Sequence, residues 1–214
     1  MIIHRAFKGS SLVFSRVLAI WLSSQKNSRS LMPSCVTLHR VQSQCTYIRE
    51  NHCDLSFDIA DSTGLTERLG DAAFRAKARE LDGALRGVIR EEAGTAIEGK
   101  LLGDGVLAVF TSARQAIEAA LACAGAGDEA GLPLHLGLHA GDVIREDNNV
   151  YGGAVNIAAR ISGLSAPAEV LVSETVRSLA RTSTGVRFED RGEQALKGVG
   201  EAVRVWAVVE AGGE

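Results

Sequence analysis

Two pairs of residues in this chain have types and spacings that could do chemistry. Asp58 stands near the end of a short β-prone run through Phe57 and Ile59. Asp104 lies in Leu102-Gly103-Asp104-Gly105, between β-prone runs at 95–101 and 106–110, and a Gly-Asp-Gly so placed signals a hairpin. If the first strand lies beside that hairpin, a carboxylate at its end and one at the hairpin tip converge as oxygen ligands for two hard divalent cations. Taken singly, each has a plainer reading, a turn aspartate and a strand-end acid. The second pair is Asn156 and Arg160, at i and i+4 in the apolar-periodic stretch 154–164, so both project from one helix face. Arg160 can offer its fork of donors to a phosphate, and Asn156 can hold a sugar oxygen. A helix-start Asn and a solvated Arg are the ordinary alternative.

The elements that must position these groups are legible in outline. After the first strand, Asp61-Ser62-Thr63 has the polar chemistry of a helix N-cap. Backbone N–H groups of the turn 60–63, Ser62 and Thr63 among them, would face an anion at that helix N-terminus. Leu65 and Leu69, then Leu81, Leu85, Val88 and Ile89, recur at helical spacing with Arg and Glu opposite, and a break near Gly70-Asp71 predicts two helices. Thr111-Ser112 caps an Ala-rich helix predicted to end near Gly125. Leu134, Leu136 and Leu138 alternate with His135, Gly137 and His139, a strand with one buried face that continues past Ala140-Gly141 into residues 142–145. A polar loop 146–149 follows, then Gly152-Gly153 opens the helix carrying Asn156 and Arg160. Strands at 170–172, 186–188 and 203–209, with a helix capped by Ser173, complete the chain. Strands and helices alternating with hairpins predict an α+β layer with a largely antiparallel sheet.

Composition excludes several classes of function. Residues 1–49 hold seven basic side chains and no Asp or Glu, which leaves 16 basic against 26 acidic residues beyond them. A folded part carrying ten net negative charges is a poor nucleic-acid binder, because that binding neutralises phosphates with clustered Lys and Arg. The four cysteines, Cys35, Cys45, Cys53 and Cys123, show no C-x-x-C spacing and no companion His cluster, so neither a zinc site nor a redox pair is indicated, and a reducing cytoplasm is the expected location. No run of about 18 apolar residues occurs, since the nearest, 12–22, is interrupted by Arg16, and no transmembrane segment is expected. Residues 1–50, rich in Ser and basic side chains and without periodicity, are predicted to be a disordered or non-catalytic extension, or a targeting segment, ahead of one domain at 51–210.

Four segments taken together, FDIADST (57–63), EGKLLGDG (98–105), GLHAGDVI (137–144) and NVYGGAVNIAAR (149–160), resemble in order and spacing the class III adenylate/guanylate cyclase catalytic domain. The stretch from VLVSETV to FEDRGEQALKGVGEAVRVWAV resembles its C-terminal part, so the likeness covers roughly 55–209. It implies a ferredoxin-like β-α-β-β-α-β core with added elements. It also implies conversion of ATP, with GTP as the alternative, into the 3′,5′-cyclic monophosphate and pyrophosphate. By this resemblance Asp58 and Asp104 hold two Mg²⁺ or Mn²⁺ ions, and Asn156 and Arg160 steady the transition state at the α-phosphate. Lys100 would recognise the base, and Lys197, in ALKG, would contact phosphate.

This sequence departs from the family at two of these places. The base-recognising Lys usually has an Asp partner seven residues before the motif Asn, and here that position is Asn149, which implies softer discrimination between adenine and guanine. Asp61 stands where many members have Gly, and a carboxylate there could repel phosphate or touch a metal. Ser56 and Phe57 also stand out of step with the usual pattern just before the first Asp. His139 is expected to make a structural hydrogen bond only. The resemblance further implies a head-to-tail homodimer whose sites draw groups from both subunits. The rival readings are a catalytically silent cyclase-like module that binds nucleotide or dimerises, and a cyclic-dinucleotide synthase, which would want a GG[DE]EF-like hairpin that LGDG does not supply.

Overall fold

In the computed structural model the described residues are 48–97, 105–146, 149–183 and 185–210, with side chains described from His52 onward. The expectation for residues 1–47, and the positions of Lys100 and Asp104, lie outside them. The first strand, β1 (Ile48–Ile59), begins ahead of the expected domain boundary at residue 51. It is unbroken: Cys53 to Phe57 pair antiparallel with β3 (Val106–Phe110), and all twelve residues pair antiparallel with β4 (Leu134–Glu146). The polar residues at 52, 54, 56 and 58 therefore do not disturb the ladder. They line one face of the strand, while Cys53, Leu55, Phe57 and Ile59 line the other and enter the main core.

The full sheet runs β2-β3-β1-β4-β6-β8-β7, with β2 (Thr95–Ile97), β6 (Val170–Ser173), β7 (Val186–Gln194) and β8 (Val203–Glu210). A short strand β5 (Asn149–Tyr151) folds back onto the end of β4. Among the described residues only β4 and β6 pair parallel, so the largely antiparallel α+β layer predicted from the sequence is found.

One face of the sheet is covered by α1 (Ser62–Leu69), α2 (Asp71–Glu91), α3 (Ala113–Glu129) and α5 (Glu174–Ala180), which bury Leu65, Phe74, Leu81, Leu85, Ile89 and the Ala-rich side of α3 in the core. The predicted break between α1 and α2 is at Gly70, whose φ of +81° suits glycine. Helix α3 starts at the predicted cap, with the Ser112 hydroxyl accepting from Gln115 N–H, but runs four residues past Gly125. Its small residues, which read as a stop, are instead its contact surface: a Cβ on Gly127 would lie 2.9 Å from the Leu132 carbonyl oxygen. The opposite face carries α4 (Gly153–Ser162), flanked by two smaller apolar clusters, one around Leu107, Val109, Val143 and Ala154, the other around Ile161, Leu171, Leu196 and Val205. No helix among the described residues is long and apolar enough to cross a membrane.

Candidate active site

Asp58 is the next-to-last residue of β1, exposed, opposite His135 of β4, with its Oδ1 accepting from the following Ile59 N–H at 2.9 Å. It shares the sheet face covered by α4. Two residues on, the chain turns sharply into α1. Asp61 makes that turn in the left-handed region (φ 50°, ψ 40°) and caps the helix, its Oδ1 accepting from Gly64 N–H at 3.3 Å while Oδ2 lies 3.6 Å from Arg68. The Asp61 carboxylate thus turns onto the N-terminus of its own helix, the place where Ser62 and Thr63 N–H groups would otherwise meet an anion. Ser62 is half-buried, Thr63 exposed, and the Ser62 carbonyl accepts from the Thr66 hydroxyl at 2.7 Å.

Helix α4 is seated by glycines on β4. A Cβ on Gly137 would stand 2.1 Å from Ser162 N and 2.6 Å from the Ala158 carbonyl, and one on Gly141 would stand 3.1 Å from Ala154 Cβ. The inner side of the helix is accordingly Ala154, Ala158, Ile161 and Ser162, all buried. Asn156 and Arg160 are both exposed on the outer side, one turn apart, as the i, i+4 spacing predicts. They face away from their own sheet.

Asn149 proves to be the first residue of β5, not the end of a loop, because β4 continues to Glu146 and only residues 147–148 separate the two strands. Its side chain is turned on its own strand, with Nδ2 donating to the Tyr151 hydroxyl at 3.0 Å and Oδ1 accepting from Val150 N–H at 3.1 Å. Lys197 is exposed in the β7–β8 connection, held there by the buried Leu196 before it. Among the described residues, a cleft lined by Arg86, Arg90 and Thr95 and another lined by Glu169, Arg191 and Gln194 contain no candidate residue. Among the described residues no three His, Cys, Asp or Glu side chains gather as a metal site. The described part of one chain presents Asp58, the α1 turn, Asn156, Arg160 and Lys197 on its surface.

A polar cluster that the sequence reading did not single out lies beneath α4. Asp54 is wholly buried, and His139 stands opposite it on β4 with Nδ1 2.9 Å from the Ser173 hydroxyl, a structural hydrogen bond as expected. Burial raises the Asp54 pKa to about 7 and lowers that of His139. The available signal was the run of polar residues at alternate positions, His52, Asp54, Ser56, in a strand whose other face is apolar.

Residues 126–209 match the adenylate and guanylate cyclase catalytic domain family. Over 115 residues the chain is 36% identical to the Rhizobium meliloti (strain 1021) protein named "Putative adenylate cyclase 3", a match covering 50% of this chain but 20% of that protein. The adenylyl cyclase CyaB from P. aeruginosa superposes with a TM-score of 0.69 at 22% identity, across 77% of this chain and 96% of that one. An adenylate/guanylate cyclase/hydrolase from Silicibacter pomeroyi superposes with a TM-score of 0.68 at 27% identity, across 76% and 98%. The likeness of fold takes in about three quarters of the chain, and the family match at 126–209 includes α4. Residues 126–209 thus match the adenylate and guanylate cyclase catalytic domain, and the fold around them is that of cyclase catalytic domains.

Proposed function

We propose that this domain is an adenylate cyclase, converting ATP to 3′,5′-cyclic AMP and pyrophosphate in a cytoplasmic signalling role. The observation that carries the reading is the presentation of Asn156 and Arg160 side by side on the exposed face of a helix fixed to the sheet by Gly137. An Arg held this way is pre-set to meet charge developing on a phosphoryl group, and Asn156 is one turn away to orient the ribose. Both groups face outward, which favours a site completed by a second copy of the chain, head to tail, bringing Asp58 and Asp104 to one edge and Asn156 and Arg160 to the other.

Asp58 fits a hard divalent cation, being an exposed carboxylate at a strand end. Held by Asp58 and Asp104, two Mg²⁺ or Mn²⁺ ions would ease deprotonation of the attacking 3′-hydroxyl and neutralise the leaving phosphates. Lys100 and Asn149 would read the base. The side chain of Asn149 is already engaged with Tyr151, so its role there asks for a change of partner. Lys197 and the first turn of α1 would hold the triphosphate.

One observation favours a second reading, a cyclase-like domain that binds nucleotide without turning it over: the Asp61 carboxylate stands at the N-terminus of α1, where the triphosphate would lie. Cyclic nucleotide production from ATP and from GTP, with Mg²⁺ or Mn²⁺ and with Asp104→Ala as the blank, separates the two. Turnover no greater than the blank with either nucleotide would sink the enzymatic reading, and a rate with GTP equal to that with ATP would sink the adenylate assignment.

A further inference from the structure

Asp54 is a buried strand carboxylate to which the cyclase reading gives no task. It lies in the middle of β1, 0% exposed, and neither carboxylate oxygen has a hydrogen-bond partner among the described residues. Buried polar groups are nearly always paired, so such an orphan calls for an account. Its side chain is on the α4 face of the sheet, between Val109 of β3 and His139 of β4 on the neighbouring strands. Helix α4 rests on the β4 positions flanking His139, with Ala154 over Gly141 and Ser162 over Gly137. Asp54 thus sits under the helix that displays Asn156 and Arg160.

Among the described residues no Lys or Arg is paired with this carboxylate, and burial alone accounts for its shift. From β1 the neighbours on the same face are His52 and Ser56, both buried. β3 contributes Val109. β4 contributes His139, whose pKa burial lowers and whose Nδ1 is taken up with the Ser173 hydroxyl. The inner side of α4 is apolar or hydroxylic, and Arg160 is on its outer side. The neutral acid is the form this packing accepts, because an ionised carboxylate held away from solvent demands either a counter-charge or water. Consistent with that, burial lifts the group to about 7, from an ordinary value near 3.8.

We propose that Asp54 is a positioning residue for α4: as the neutral acid it lets the helix lie on β4 and hold Asn156 and Arg160 in register, and on ionising it loosens that seat. Turnover is thereby coupled to proton concentration through a group that never meets substrate. The catalytic half of this inference rests on the cyclase reading; the coupling of α4 to Asp54 does not. The direction follows from the raised value. The folded state keeps a proton that the unfolded chain has lost, so the contribution is fullest below the ordinary carboxylate range and is lost as pH rises to about 7.

The test compares the full chain with Asp54→Asn, a neutral mimic of the acid, and with Asp54→Val should the amide fold poorly. Hydrogen exchange of the α4 amides is followed at pH 6 and pH 8 after correction for intrinsic rates, beside kcat and KM over the same range. In the unsubstituted chain, α4 protection should fall by up to about tenfold between the two pH values, with kcat falling and KM little changed. In either variant both profiles should stay level. Protection that is the same at both pH values, or that falls equally in the variants, overturns the proposal. Asp54-dependent protection in a chain that turns over no nucleotide at any pH supports the coupling and counts against the cyclase activity alone.

Discussion

Gly137 and Ser162 are in backbone contact: a methyl group on Gly137 would come within 2.1 Å of the Ser162 nitrogen. The obstacle is main chain, which cannot swing aside as a side chain can. Gly137→Ala should therefore push α4 off β4, at a cost of about 1–3 kcal/mol for overpacking a filled layer. Denaturant unfolding would read the loss of stability. If α4 positions Asn156 and Arg160 as proposed, turnover should fall by more than the loss of folded protein explains, and unchanged turnover would show that the seat of α4 is immaterial to the reaction.

Asp61→Gly tests whether the cap on α1 competes with the triphosphate. The residue already has a left-handed φ of 50°, which glycine adopts freely, and exchanging a capping side chain for Gly costs only a few tenths of a kcal/mol. Removing the carboxylate should leave stability nearly unchanged and lower KM for the nucleotide severalfold, because a negative group leaves the positive end of the helix. A KM that does not move places the triphosphate elsewhere.

Asp58→Ala and Asp104→Ala should each remove nearly all turnover while the melting transition is retained. For Asp58 this follows from its exposure at the strand end, outside every apolar cluster. Isothermal titration of Mn²⁺ in the presence of a non-hydrolysable ATP analogue supplies a readout besides activity, and metal affinity should drop in both variants. Either variant with ordinary turnover would refute its assignment as a metal ligand.

Complementation tests the two-chain site. Asp104→Ala and Arg160→Ala should each be inactive, yet a mixture should recover turnover, because a mixed dimer has one site with both lesions and one with neither. Equal amounts give mixed dimers in about half of random pairings, each with one working site in two, hence about a quarter of ordinary activity. A mixture no more active than its components, with subunit exchange verified by a tagged chain, would put all the groups in one chain.

Local chemistry was what the sequence could determine. Period-2 alternation at 134–139, the helical spacing of Leu81, Leu85 and Ile89, the Ser112 and Ser173 caps and the break at Gly70 are written in side-chain order, and each element is found within a few residues of its predicted place. The four segments carried the family and the outward pairing of Asn156 with Arg160, since a helix fixes the direction of i and i+4 without reference to anything distant. Which element lies against which was decided only by the tertiary structure. Gly127 and Gly137 read as breakers or strand residues until the backbone beside each is seen. Asp54 could be known as buried only once α4 covered β4. A carboxylate's character follows from the solvent and charges around it, and those are supplied here by residues of β3, β4 and α4 that lie more than fifty positions along the chain.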